Sequence, residues 1–149
     1  MTIHQITEAE CRLVLSRGST GRLGCALNDQ PYIVPVSFAY ESDSIYVFAT
    51  FGQKIEWMRM NPQTCMQVDE IENVTQWVSV IANGKYEELP EDDRPHARNL
   101  LEQRHTWWLN ALAERRSRVE DLLVDPLFFR IRIESLSGLR ATDSLQTGS

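Results

Sequence analysis

The sequence predicts a mainly β fold: six or more antiparallel strands, an N-terminal helix, and a helical insertion before the last strand. Three observations carry this. Between Arg22 and Leu89, short runs rich in β-branched and aromatic residues are separated by polar turns bearing Gly, Pro, Asn and Asp. Helical periodicity is confined to three places, of which the longest runs from Glu91 to about Leu123. After Asp125-Pro126, the run from Leu127 to Glu134 alternates over its second half, as a sheet-closing strand would.

The elements follow in order. Thr7-Glu8-Ala9-Glu10 is a capping box, in which the hydroxyl and the carboxylate satisfy each other's backbone N–H, so a short helix should run to about Ser16. Gly18 and Gly21 break it. Arg22 to Leu27 is β-prone and leads through the turn cluster Asn28-Asp29-Gln30-Pro31 into Tyr32 to Tyr40, an expected hairpin. Glu41 to Ser44 is a polar turn before a third strand, Ile45 to Thr50. Pro35 lies inside a strand, where its missing N–H calls for an edge, a bulge or an opening of the ladder at which a ligand could bond to the backbone.

After Gly52, Ile55, Met58 and Met60 suit a short helix stopped by Asn61-Pro62. Thr64 to Val68 reads as strand, and an acidic loop separates it from Gln76 to Ala82. Asn83-Gly84 signals a hairpin or bulge before Lys85 to Leu89. From Glu91 to Leu123, residues such as Ala97, Leu100, Leu101, Trp108 and Leu112 keep near one helical face, with a break expected near Arg116-Ser117. Thr142 to Ser149 reads as a loose tail.

At 149 residues, 42% hydrophobic and 24% charged, the chain suits one domain with a real core. A formal net charge of -6 has the wrong sign for a nucleic-acid backbone partner. No run is long and apolar enough to span a membrane, and the N-terminus lacks an export-signal pattern, so a cytoplasmic location is expected. Cys11, Cys25 and Cys65 are widely spaced and odd in number, which points to buried or idle thiols rather than a disulfide framework or zinc site. His96 and His105 fall on opposite helical faces, and with His4 they compose no metal cluster or nucleophilic triad. Trp107-Trp108 could stack on a flat ligand, although core or interface packing is the simpler use.

Lys54 is the candidate with the clearest chemistry. A glycine turn opening a short helix offers an anion free N–H groups, the positive end of the helix dipole and an ammonium, and a phosphate is the natural guest, although an isolated Gly-x-Lys more often marks a turn with a solvated surface lysine.

The order Gly21-Arg22-Leu23-Gly24, Pro31-Tyr32-Ile33-Val34-Pro35-Val36, Gly52-Gln53-Lys54, Asn61-Pro62 and Trp77-Val78-Ser79-Val80 resembles the pyridoxamine 5'-phosphate oxidase-like FMN-binding split barrels. Within them it is most similar to the 5-nitroimidazole-reductase-like branch. The resemblance implies a homodimer with FMN between protomers, electrons passing from NAD(P)H to a small, flat organic acceptor. It makes Lys54 the phosphate ligand, with Gln53 and Thr50 beside it. Val34, Pro35, Val36 and Ser37 would line the flavin ring from one strand, Phe48 and Ala49 from the next, and Trp77 and Ser79 from near the subunit interface. Val36 and Phe48 serve equally well as plain core residues.

Two departures stand out. Pyridoxamine phosphate oxidases proper have a second basic residue at the place of Ser37 and a C-terminal Arg- and Trp-containing motif absent here, so vitamin B6 oxidation is not expected. In the nitroimidazole branch a histidine often stands at the place of Phe48. Other members of the wider fold family bind haem or a deazaflavin, and a non-catalytic flavin-binding module is the alternative to an enzyme.

Overall fold

The computed structural model describes residues 1–49, 52–105 and 127–143. Strand β1 (Thr2–Gln5) precedes helix α1 (Glu8–Arg17), β2 (Thr20–Leu27), β3 (Gln30–Glu41), β4 (Ser44–Ala49), α2 (Gln53–Met60), β5 (Gln63–Asn73), β6 (Gln76–Glu88), a short 3-10 turn (Glu91–Asp93), α3 (Arg94–Arg104) and β7 (Leu127–Thr142). The strands run in the order β1-β7-β4-β3-β2-β5-β6, and β6 pairs with β7 again. The sheet therefore closes on itself as an antiparallel barrel, with β1 as an added strand. Closure leaves few exposed ladder edges, which is how a small all-β unit avoids open pairing surfaces.

Local chemistry explains several boundaries. The Thr7 hydroxyl accepts from the Glu10 N–H at 3.2 Å, and the Thr7 N–H donates to the Glu10 carboxylate at 3.5 Å, closing the expected capping box. The β2–β3 hairpin turns through Asn28 (φ 51) and Asp29 (φ 65), both left-handed as a two-residue primed turn demands. The Asn61 side chain stops α2 by donating to the Ala26 carbonyl at 2.9 Å and accepting from the Gln63 N–H at 3.3 Å.

The structure extends or corrects four expectations. β1 was not foreseen; all four of its residues are exposed, so no buried alternation marks it. The acidic segment after Val68 continues as strand to Asn73, because its inner neighbours already pair with β6. Asn83-Gly84 is a bulge inside one long β6, not a hairpin, with the register against β7 shifting between those residues. β7 continues to Thr142, held by β6 on one edge and β1 on the other, so Thr142 belongs to the strand rather than to a tail. α3 reaches Arg104 with His105 as its cap, while the expected helix beyond it, its break near Arg116-Ser117, Trp107-Trp108 and the tail from residue 144 lie outside the described residues.

Two apolar clusters form. The barrel interior holds Leu23, Phe38, Ile45, Val47, Met66, Val80, Phe129 and Ile131, capped by Val14 and Leu15 of α1 and Ile55 and Met58 of α2. A second cluster lies between α3 and the outer faces of β3, β4 and β7, where Ala97 and Leu101 meet Ala39, Tyr46 and Phe128. Arg12 ties α1 to the β3–β4 turn, donating to the Tyr40 hydroxyl and the Ser42 carbonyl at 2.9 Å and to Asp43 at 3.0 Å. No sequence pattern announced that clamp.

On the outer surface, Glu87 of β6 accepts from Arg132 Nε and Arg130 Nε of β7, each at 2.8 Å. The Arg132 hydrogen bond, supported by Arg130, holds the Glu87 carboxyl below its ordinary value of 4.5; Arg17 does the same for Glu70, and Arg59 for Glu88. A lowered folded-state value gives stability that is present above the unfolded value and lost as pH falls through the folded one. Stability should therefore decline below about pH 4.5. Glu87→Gln should shrink the drop in thermal midpoint between pH 7 and pH 3, and an unchanged drop would remove Glu87 from that account.

Candidate functional site

The site is built where β3 and β4 part. β2 pairs with β3 from Leu27↔Gln30 to Thr20↔Ser37, whereas β4 pairs only from Phe38↔Val47 to Glu41↔Ser44. Residues 30–37 of β3 therefore have β2 on one edge and, among the described residues, no ladder partner on the other. The Phe38 N–H donates to the Ser19 carbonyl at 3.0 Å, toward β2. By strand alternation the backbone groups of residues 35 and 37 face the opposite, open edge. Pro35 thus sits where its missing N–H prevents further pairing, and Ser37 offers its N–H and carbonyl to whatever enters. The opening that Pro35 called for in the sequence is present.

β4 leaves this edge to follow β7, with Phe48↔Phe128 and Ala49↔Leu127 as its last pairs. After residues 50–51 the chain reaches Gly52, whose position has open space: a Cβ placed there would meet nothing within 4 Å. α2 starts at Gln53 with no side-chain cap on its N-terminus. Its first backbone N–H groups have no intrahelical acceptors, and they carry the positive end of the dipole. Lys54 is half-buried there, and among the described residues no carboxylate is paired with it. Its charge is felt at Cys25, where burial nonetheless pushes the thiol above its ordinary value. An open strand edge, uncapped helix N–H groups, unfilled space at Gly52 and an unneutralised ammonium together fit a phosphate-bearing, planar ligand.

The other candidates fall into place unevenly. Val34 and Val36 face inward and pack against the barrel core, and their backbone groups face β2; Pro35 is exposed on the outer side, and Ser37 is half-buried. Ala49 is buried in the same core. Phe48 packs with the second cluster, its ring edge-on to Phe128 at 5.4 Å, which places its bulk beneath α3. Gln53 is exposed beside Lys54, and Thr50 lies outside the described residues.

Trp77 and Ser79 are on β6, separated from β3 by β2 and β5 in the sheet order. The Ser79 hydroxyl accepts from Gln67 at 3.0 Å, and Trp77 borders a cleft of about 200 Å3 with Glu70 and Arg140. One chain does not bring them to Lys54.

A closed antiparallel barrel in which β3 and β4 part, followed in the chain by an uncapped helix start with a lysine, is the arrangement of a split barrel. The chain matches the family model for pyridoxamine 5'-phosphate oxidase over residues 7–140 and belongs to that family, in line with the resemblance carried by its motifs. The uncharacterised protein RA0666 of Rhizobium meliloti (strain 1021) is 41% identical over 113 residues, covering 72% of this chain and 75% of that protein. The crystal structure of an FAD-binding protein from Mesorhizobium loti is 38% identical, with TM-score 0.78, covering 96% of this chain and 99% of that one. A Bacteroides thetaiotaomicron structure described as a 5-nitroimidazole antibiotic resistance protein shares the fold at TM-score 0.68 and 17% identity, covering 96% of this chain and 93% of that one.

Proposed function

We propose that this protein is a homodimeric flavin-dependent oxidoreductase that passes electrons from a reduced nicotinamide to a small, flat organic acceptor. The reading rests on two observations, a β3 edge over residues 30–37 with no ladder partner among the described residues and an uncapped α2 N-terminus carrying Lys54. Lys54 and the first N–H groups of α2 hold the flavin phosphate, with Gln53 at the rim. The Ser37 backbone hydrogen-bonds the ring edge, and Pro35 keeps that edge free of competing strands. A bound flavin supplies the electron-transfer chemistry, so the described residues of the site need no acid-base dyad of their own.

The second protomer is part of the proposal, because Trp77 and Ser79 reach the pocket only from another copy. Exposed apolar side chains on the same outer faces, Ile3, Ile81 and Leu139, support self-association there. FMN satisfies every contact named. FAD is the second reading, favoured by the FAD-binding Mesorhizobium loti relative at 38% identity.

Freshly purified protein should show flavin absorption bands, release FMN or FAD on heating, and elute as a dimer. It should oxidise NADH or NADPH with a quinone or nitro compound faster than the same concentration of free flavin. Flavin bands without such turnover would leave a non-catalytic flavin-binding module. A Soret band, or a colourless protein that takes up no added flavin, would overturn the reading.

A further inference from the structure

We propose that His105 is a positioning residue for the open β3 edge, holding the Phe38 peptide so that the Ser37 backbone stays aimed at the flavin ring. This rests on the flavin reading above and adds to it a residue that touches no ligand and acts through β3.

The split starts at a definite rung. The last pair between β3 and β4 is Phe38↔Val47, and the same register would next set Ser37 opposite Phe48. Phe48 follows β7 instead, opposite Phe128. Ser37 is therefore the first residue of the open edge, and Phe38 is the last that β4 holds.

Phe38 is also fixed from the other side. Its N–H donates to the Ser19 carbonyl at 3.0 Å. In an antiparallel ladder the two backbone groups of one residue face the same neighbour, so the Phe38 carbonyl points away from β4 as well. A longer β2 would return a bond to it from the Ser19 N–H, but β2 begins at Thr20. His105 takes that place, with Nε2 2.8 Å from the Phe38 carbonyl oxygen. A carbonyl only accepts, so Nε2 carries the proton.

The donor is anchored as firmly as the acceptor. His105 caps α3, its own N–H donating to the Leu101 carbonyl at 2.8 Å, and the residue is 2% exposed. Ala97 and Leu101 seat that helix on Ala39, Tyr46 and Phe128. A buried carbonyl that loses its donor must turn to find another. Any such turn at Phe38 re-aims Ser37, its neighbour on the same strand.

The test compares His105→Gln with His105→Asn in the full-length protein. The Gln amide nitrogen extends about as far from the backbone as Nε2, whereas the Asn amide stops near the place of Nδ1. Flavin-stripped protein is titrated with FMN, and the absorption spectrum of the bound flavin is recorded beside the thermal midpoint of the apoprotein. His105→Asn should bind FMN about 10-fold more weakly and shift the near-ultraviolet flavin band, which responds to hydrogen bonds at the ring. His105→Gln should keep wild-type affinity and spectrum. Gly84→Ala, whose strand is separated from β3 by β2 and β5, should lose stability without moving the band. Wild-type binding and spectrum in His105→Asn, or a band shift of the same size in Gly84→Ala, would overturn the role of His105 and leave the flavin reading intact. Weakened binding or a shifted band in His105→Gln would do the same, whether or not His105→Asn folds. Failure of the wild type to bind flavin would overturn both.

Discussion

Lys54→Ala is expected to weaken flavin binding by about 10- to 100-fold, the worth of roughly 1.5–3 kcal/mol for a hydrogen bond to a charged group. The half-buried ammonium is not shared with any described carboxylate, so its charge is available to a phosphate. Removing it leaves the α2 N–H groups in place, and residual binding should therefore persist. Lys54→Arg should restore most of the affinity, because charge and reach are kept. The check is a flavin-fluorescence titration of apoprotein at fixed ionic strength, with the thermal midpoint of the apoprotein measured alongside. An unchanged dissociation constant in Lys54→Ala would remove the phosphate assignment.

The second large effect concerns folding. Gly84→Ala is expected to destabilise the protein by about 3 kcal/mol, the upper part of the range for forcing atoms into a packed site. A Cβ at Gly84 would lie 2.2 Å from the Arg132 carbonyl oxygen and 2.9 Å from its carbon. These are backbone atoms of β7, so relief requires moving the β6–β7 ladder rather than turning a side chain. For a chain of this length the thermal midpoint should fall by roughly 6–12 °C. Gly52→Ala is the natural control, since nothing stands within 4 Å of its Cβ position and its φ of 178 is extended backbone open to any residue. It should change stability by less than about 1 kcal/mol. Equal losses in the two variants would mean that the bulge is not the cause.

Much of this architecture was legible along the chain because it rests on neighbours in sequence. The capping box needs only Thr7 and Glu10, the first hairpin only Asn28 and Asp29, and the end of α2 only Asn61 and Pro62. Each is a local backbone problem solved by a local side chain. The motif order from Gly21 to Val80 likewise pointed to the right family, and Lys54 could be chosen because a glycine turn, a helix start and a cation are adjacent in the chain. What was missed depends on partners far away. β1 has no buried face and forms because β7 offers an edge; β5 runs through acidic residues because β6 continues opposite them; Arg12 finds Tyr40 and Asp43 only once α1 is packed.

The candidate site divides along the same line. By itself the sequence determined which residues could bond a phosphate and where a strand must open, since Lys54 and Pro35 carry those properties in their own chemistry. Only the tertiary structure decided which way neighbouring side chains point. Pairing with β2 turns the Val34 and Val36 side chains into the core and leaves the backbone of Pro35 and Ser37 at the open edge, and α3 packs over the cluster that holds Phe48. The sheet order, which places β2 and β5 between β3 and the Trp77–Ser79 pair of β6, follows from closing the barrel, because a strand's neighbours are set by burying one common core and not by distance along the chain.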